Sequence, residues 1–279
     1  MNFEQLINQY GYCVVNAEAS NGNTQKPIAT EYNTVVLCYS GQATIEANMQ
    51  QFTLTAGSCM SLANVVFMRT VSLSPDFRAS ILVCSRKFAL EATMGVPTEY
   101  IEQVFLNPIV KIDNTALWQV LVNSFDNMSL LQEQSLNIKH SEVTSMTFRS
   151  IIITVAHIVM QNNGGAVVKH YSQADVYFRQ FIDLIHEHVD KEHEVAYYAR
   201  QLNLTAKYLS EICKQKCGRK AKEVISAFLI TRIKRDIITS GKSAKVLAYE
   251  YGFADQSSMG KFFTKMTGQS PTAFRQENT

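Results

Sequence analysis

Residues 246–275 read V-L-A-Y-E-Y-G-F-A-D-Q-S-S-M-G-K-F-F-T-K-M-T-G-Q-S-P-T-A-F-R, and the parsing of this stretch decides the fold. An apolar helix ends at Gly252, because glycine takes the left-handed conformation that closes a helix without a Cβ clash. A turn through Phe253 follows, and Asp255 stands where a side-chain oxygen caps a second helix. Met259, Phe262, Phe263 and Met266 recur at spacings of three and four, which puts them on one inward face. Gln256, Ser257, Gly260, Lys261 and Thr264 fall opposite, small or hydrogen-bonding side chains able to approach base edges and phosphates in a major groove. The shape is a helix-turn-helix; on periodicity alone, an ordinary amphipathic helix with a solvated face fits as well.

The same organisation occurs earlier, over residues 195–218. V-A-Y-Y-A-R-Q-L-N-L is followed by T-A-K-Y-L-S-E-I-C-K-Q-K-C-G. Thr205 is a good N-cap, Leu209, Ile212 and Cys213 point inward, and Ala206, Lys207, Ser210, Glu211 and Lys214 point outward. Between the two stretches, Val224, Ile225, Phe228, Leu229, Ile233 and Ile237 recur at helical spacing from Lys220 to Thr239. A helix of that length spans about 30 Å, close to the roughly 34 Å of one DNA turn, so two reading helices could enter successive major grooves.

The second stretch resembles the C-terminal signature of AraC-type transcription regulators through Ala248, Gly252, Phe253, Asp255, Ser257, Phe263, Lys265, Gly268, Ser270, Pro271, Phe274 and Arg275. The first resembles the family's other helix-turn-helix through Thr205, Tyr208, Leu209, Ser210, Lys214 and Gly218. The chain departs from the pattern at Ser258 and Met259, where an aromatic pair is usual, at Gly260, where Ser or Thr is usual, and at Glu211, where Arg is usual. A glycine inside a helix costs roughly 1 kcal/mol relative to Ala, which weakens the second reading helix. A carboxylate at position 211 repels phosphate but accepts from a cytosine amino group. In the connecting helix, Asp236 is unexpected.

Charge follows the same division. Residues 1–173 hold 9 Lys+Arg against 12 Asp+Glu, and residues 174–279 hold 17 against 12; from Arg200 onward the balance is 15 against 6. Positive charge gathers where a phosphate-binding surface is needed, although a solvated basic face would give the same count.

The N-terminal part reads differently. Strands are expected at Thr34–Tyr39, Ala43–Ala47, Gln51–Thr55, Val65–Leu73 and Phe77–Cys84, separated by turn residues, as in a β-sandwich or small barrel. V-L-C-Y-S-G-Q-A-T-I, F-T-L-T-A-G-S and S-P-D-F resemble the cupin-like sensor barrel that precedes many AraC-type DNA-binding domains. No His precedes His140, so the ligands of a metal-dependent cupin are missing, and the barrel interior is left as a pocket for an organic ligand or a packed core. Helices follow at Arg86–Met94, Glu99–Phe105, Thr115–Leu131 and Asn137–Gln161. Leu117, Val120, Leu121, Phe125, Met128, Met146, Ile152, Ile153 and Val159 on the last two form a stripe that either covers the barrel or, as the resemblance implies, makes a homodimer interface.

Asn162-Asn163-Gly164-Gly165 breaks the chain. The expected domains are therefore 1–162, for ligand binding and dimerisation, a linker over 163–173, and a DNA-binding domain over 174–279. The fold class is α+β: a cupin-like β-barrel with long helices, then an all-α domain with two helix-turn-helix motifs. A helix is also expected at Asp175–Val189. His186, His188 and His193 do not share one helical face and are expected to be solvated rather than metal ligands.

The six cysteines, Cys13, Cys38, Cys59, Cys84, Cys213 and Cys217, contain no C-x-x-C pair and suit small buried hydrophobes in a reducing compartment. No apolar run reaches the roughly 18 residues of a membrane span, the longest being Ile151–Met160. The N-terminus has no basic and apolar leader pattern, so a cytoplasmic protein is expected. No Gly-rich phosphate loop, H-E-x-x-H or G-x-S-x-G supplies catalytic chemistry. The expectation is thus a sequence-specific regulator that is not an enzyme and needs no cofactor. Its partners are double-stranded promoter DNA, an organic effector, RNA polymerase and a second copy of itself. The alternative is a small-molecule-binding cupin with an accessory, non-specific DNA-binding domain.

Overall fold

A computed structural model describes residues 3–19, 28–29, 32–48, 50–63, 65–133, 140–163 and 172–278. The chain divides into two compact units, Met1–His170 and Tyr171–Thr279. The expected linker over 163–173 and the connection after Gln132 lie largely outside the described residues.

Unit 1 begins with helix α1 (Phe3–Tyr10) and strands β1 (Tyr12–Glu18), β2 (Ile28–Ala29), β3 (Asn33–Ser40), β4 (Gln42–Ala47), β5 (Gln50–Thr55), β6 (Ser58–Leu62), β7 (Phe67–Leu73) and β8 (Arg78–Cys84). Helices α2 (Arg86–Ala92) and α3 (Thr98–Leu106), strand β9 (Ile109–Lys111), and the long helices α4 (Thr115–Glu133) and α5 (His140–Asn162) complete it. The strands pair into two sheets, ordered β1-β8-β3-β6-β9 and β2-β7-β4-β5. Among the described residues the pairings give two separate sheets and no closed ring. The sandwich is present, and the barrel is not closed by hydrogen bonds.

The five-stranded sheet is the middle layer, and its sequence shows it. Val36, Cys38, Met60 and Ala79 on one face share a core with Ala43, Ile45, Ala47 and Leu54 of the other sheet. Val35, Leu37, Cys59 and Leu82 on the opposite face share a second core with Phe88, Leu121, Phe125, Phe148, Ile151 and Val155 of the helices. A strand covered on both sides needs a continuous apolar run, and β3 is buried at five consecutive positions. Strand β4, with one face in water, instead alternates. Strand β1 forms an edge, where Gln132 of α4 accepts from the Val14 N–H at 2.7 Å and donates to the Val14 carbonyl at 3.3 Å. That side chain satisfies an edge which would otherwise expose unpaired backbone groups.

Helix α5 adds to the reading of apolar runs. Its stretch Glu142–Asn162 is long and apolar enough to cross a membrane by length and composition, although no single apolar run in it is that long. Phe148, Ile151, Ile152, Val155, Ala156, Ile158 and Val159 are buried in the helix–sheet core, the side chains larger than alanine each contributing about 1.5–3 kcal/mol on removal from water. The amphipathic stripe divides between core and surface. Leu121, Phe125, Met128, Ile152 and Val159 are interior, Leu117 packs against the same core, and Val120, Met146 and Ile153 remain exposed.

Unit 2 is helical: α6 (Gln173–His188), α7 (Val195–Gln201), α8 (Ala206–Cys217), α9 (Ala221–Thr239), α10 (Ala244–Glu250), α11 (Gln256–Thr267) and α12 (Pro271–Asn278). Helix α6 starts inside the expected linker, because Ser172 and Asp175 form a reciprocal capping box there. Helix α9 is the spine, with Val224, Ile225, Phe228, Leu229, Ile233 and Ile237 buried.

Candidate nucleic-acid interface

The two helix pairs of unit 2 are built alike, atom by atom. In α7 the chain ends with Asn203 at φ 55°, the Leu204 N–H donating to the Ala199 carbonyl at 2.8 Å and the Asn203 N–H to Arg200 at 3.1 Å. In α10 it ends with Gly252 at φ 67°, the Phe253 N–H donating to Ala248 at 2.9 Å and the Gly252 N–H to Tyr249 at 3.2 Å. Both ends are the same left-handed closure, satisfying helix carbonyls that would otherwise lack partners. Gly252 is the closure expected from the sequence, and Asn203 is a second one, signalled there only by asparagine's tolerance of the left-handed region.

The following helices also match. Thr205 accepts from the Tyr208 N–H at 3.1 Å and Asp255 from the Ser258 N–H at 2.7 Å. Each cap is followed by a 12-residue helix ending at a left-handed glycine, Gly218 or Gly268. Counted from the caps, Ala206, Lys207, Ser210, Glu211 and Lys214 occupy the positions of Gln256, Ser257, Gly260, Lys261 and Thr264. Ser210 and Gly260 are half-buried, and the other eight are exposed. Their opposite faces hold Leu209, Ile212 and Cys213 in one helix and Met259 and Phe263 in the other, all buried. Met266 belongs to neither set: it is 39% exposed, at the position of Lys216, where the helix has turned away from the core.

Gly260 leaves α11 regular, and a Cβ there would meet nothing within 4 Å. Its cost is therefore the backbone entropy alone, roughly 1 kcal/mol, with open space on the outward face.

Charge is distributed so that the outer face keeps it. Lys216 pairs with Asp175 at 2.5 Å, Lys222 with Glu194 at 2.8 Å, Arg232 with Asp190 at 2.9 Å and Lys242 with Glu250 at 2.7 Å. Lys207, Lys214 and Lys265 make no ion pair among the described residues. The Lys207 and Lys214 ammoniums on one helix and that of Lys265 on the other thus carry unpaired charge on the outer surface, while the pKa of the Asp255 cap is lowered chiefly by the Ser258 N–H and in part by the charge of Lys261.

Several conspicuous residues hold the frame instead. Arg275 donates to the Ile237 carbonyl at 3.1 Å and to the Lys242 carbonyl, capping the negative C-terminal end of α9. Asp236 accepts from the Tyr251 hydroxyl at 2.7 Å, joining α9 to the end of α10. The histidines are half-buried, correcting the expectation that they are solvated: His186 lies edge-on to Phe228, His188 to Tyr197, and His193 tilts against Phe253. No group of three His, Cys, Asp or Glu suited to a metal ion occurs among the described residues. All six cysteines are free and buried, and burial pushes the Cys59 thiol up to about 12.

Residues 198–277 match the family described as a helix-turn-helix domain. The C-terminal unit carries an AraC-type helix-turn-helix domain. With it, the chain is a DNA-binding transcription regulator. No curated protein matches the chain in sequence. Among solved structures, ToxT from Vibrio cholerae shares the fold over both units, at 14% identity and a TM-score of 0.55, covering 96% of this chain and 98% of ToxT. ToxT from strain SCE256 with a bound unsaturated fatty acid is similar at 14% identity and TM-score 0.53, covering 96% of this chain and 95% of that one. ToxT from strain O395 bound to (E)-4-(8-methylnaphthalen-1-yl)but-3-enoic acid gives 14% identity and TM-score 0.54, with 96% and 98% coverage. In sequence the helix-turn-helix domain thus follows a first unit of two β-sheets and helices, and the fold match to ToxT spans both.

Proposed function

We propose that the helix-turn-helix domain reads promoter DNA with two heads, α7–α8 and α10–α11, each presenting one outward helix face to a major groove. Ala206, Lys207, Ser210, Glu211 and Lys214 form the first face, and Gln256, Ser257, Gly260, Lys261 and Thr264 the second. The observation that carries this reading is the repeat itself: two capped 12-residue helices, with the same five positions turned outward in each. Helix α9, at 19 residues, is about 28 Å long, near one DNA turn. Glu211 accepts from a cytosine amino group, and the open lysines neutralise phosphates.

The test is affinity for a selected site across a salt series with Lys207→Ala and Lys261→Ala. Each substitution should cost about 1–3 kcal/mol where it removes a base contact, or lower the salt slope by about one where it removes a phosphate contact. Unchanged affinity and slope in both would sink the assigned faces. Equal affinity for the selected site and random DNA at physiological salt would favour the alternative, a small-molecule-binding cupin with a non-specific DNA-binding domain.

The division of labour follows. Residues 1–162, a cupin-like sandwich with its helices, bind an organic effector and pair with a second copy through the exposed Val120, Met146 and Ile153. The segment between α5 and the Ser172 cap of α6 links them to the DNA-binding domain, and RNA polymerase is the downstream partner in the cytoplasm. The ligands named for ToxT are apolar carboxylic acids, so fatty and aryl acids are the first effectors to try. At a hundredfold excess over Kd, an effector stabilises the folded chain by about 2.7 kcal/mol, read as a rise in Tm; no rise with any acid would remove that class.

A further inference from the structure

Between α6 and α7 the chain makes a short crossing, Asp190–Glu194, whose contacts go to almost every other part of the domain. Arg232 of α9 pairs with Asp190 at 2.9 Å and donates to the His186 carbonyl at 2.8 Å. The Lys191 ammonium donates to the Tyr249 carbonyl of α10 at 3.1 Å and lies 5.2 Å from the centre of the Tyr249 ring. A Cβ on Gly252 would meet the Lys191 carbonyl oxygen at 3.2 Å and the Lys191 Cα at 3.4 Å. The crossing therefore presses against the closing turn of α10 at the position where the chain has no side chain. His193 packs against Phe253 at 5.3 Å, and Phe253 against Phe262 of α11 at 5.5 Å. Immediately afterwards the chain enters α7, the first helix of the other pair.

A single connecting helix sets the separation of two reading helices and leaves rotation about its own axis less restrained. A second tie, attached in sequence to the first pair and packed on the turn of the second, removes that freedom. We propose that Lys191 and His193 are positioning residues: they lock the angular setting of α11 relative to α8, so that the domain accepts one phase of its two half-sites along DNA. This rests on the two-head reading above. Inserting one base pair between half-sites rotates one of them by roughly 34° and shifts it by about 3.4 Å. A locked pair cannot follow that displacement, and a swivelling pair can.

The test uses the full chain with spin labels at Gln215→Cys and Lys265→Cys, exposed and equivalent positions on α8 and α11; the native thiols are buried. The wild-type background should give one narrow inter-label distance, and Lys191→Ala/His193→Ala a distribution about twice as wide or wider. Lys191→Ala/His193→Phe, which restores a ring against Phe253, should recover most of the narrowing. In parallel, a duplex site selected from random sequence should lose about tenfold in affinity on insertion of one base pair for the wild type, and about twofold or less for the double alanine variant. An unchanged distance width in the folded double variant overturns the tie. If that variant does not fold, Lys191→Ala alone, which removes an exposed side chain, decides by the same distance measurement. If selection returns no site with two halves, the two-head reading fails, while the distance measurement still judges the tie.

Discussion

The two helix pairs of the C-terminal domain share a backbone plan and differ in almost every side chain that carries it out. One closes its first helix with Asn203, the other with Gly252; one caps its second helix with Thr205, the other with Asp255. Beneath the outward face lies Cys213 in one and Phe263 in the other, and on that face Glu211 in one matches Lys261 in the other. Geometry is thus set by the class of residue at a few positions, left-handed, capping or apolar. The chemistry offered to DNA is free to diverge between the pairs. On the proposed two-head reading, the first face mixes Lys207, Glu211 and Lys214, and the second sets Lys261 among the small polar groups around Gly260.

The comparison breaks most visibly in the cores. Phe263→Ala should cost about 3–5 kcal/mol in urea unfolding of the full chain, since Phe263 is fully buried and edge-on to Phe274 at 5.4 Å. Cys213→Ala should cost about 1 kcal/mol, because a single sulfur leaves little cavity.

The helix closures come next. Gly252→Ala forces a side chain into the left-handed region, about 1–2 kcal/mol, and also pushes on the Lys191 backbone. Asn203→Gly relieves a comparable backbone preference and should leave stability unchanged or slightly raised. Equal losses from the two substitutions would show that the closures are not equivalent.

The caps differ in their response to pH. Thr205→Ala should cost about 1 kcal/mol at any pH. Asp255 is held below its ordinary pKa of 3.8 chiefly by the Ser258 N–H. The cap's contribution is therefore complete above the ordinary value of 3.8 and fades as the pH falls from there through the lower folded pKa. Asp255→Asn, which keeps an acceptor, should erase this dependence in an acid titration of the melting temperature.

The smallest effect is expected from His193. Burial first, then Lys222, holds its pKa below 6.5, against the raising influence of the Val189 carbonyl, Glu194 and Glu192. The neutral form is the one that fits, so its contribution is complete above about pH 6.5 and is lost as the pH falls toward the folded value. His193→Phe should flatten that part of the stability profile; a profile identical to wild type would remove His193 as its source.

Much of this is written locally in the chain. Gly252, Asp255, Thr205 and the spacings of three and four after each cap act within one turn of backbone. A reader of residues 195–218 and 246–275 therefore meets the reading heads and their outward faces directly. Strand β3 likewise shows its place between two layers through its unbroken apolar run. Asn203 was legible in principle, but its left-handed setting depends on Leu204 reaching back to Ala199.

Other features have no local cause. Strand β9 is three residues long after Pro108, and it is a strand only because β6 offers an edge: the Ser61 N–H bonds the Pro108 carbonyl, and Met60 pairs with Ile109. Met266 follows the apolar spacing yet is 39% exposed, unlike Met259 and Phe263 earlier in α11. His186, His188 and His193 are half-buried because Phe228 of α9, Tyr197 of α7 and Phe253 of the turn before α11 pack against them.

By itself, then, the sequence determined the caps and closures of the helix pairs, the apolar run of β3, the basic C-terminal third and which side chains of α8 and α11 face outward. Each of these rests on a cap, a turn or a periodicity that acts over a few residues. Tertiary structure alone decided which charges remain open. Lys216, Lys222 and Arg232 are neutralised by Asp175, Glu194 and Asp190, from 28 to 42 residues away in the chain, while Lys207 and Lys214 are not. It also decided that α5, apolar enough for a membrane, faces a sheet, and that the crossing at Lys191–His193 meets the turn at Gly252. Such pairings depend on where distant segments come to lie, and no local pattern of residues carries that information.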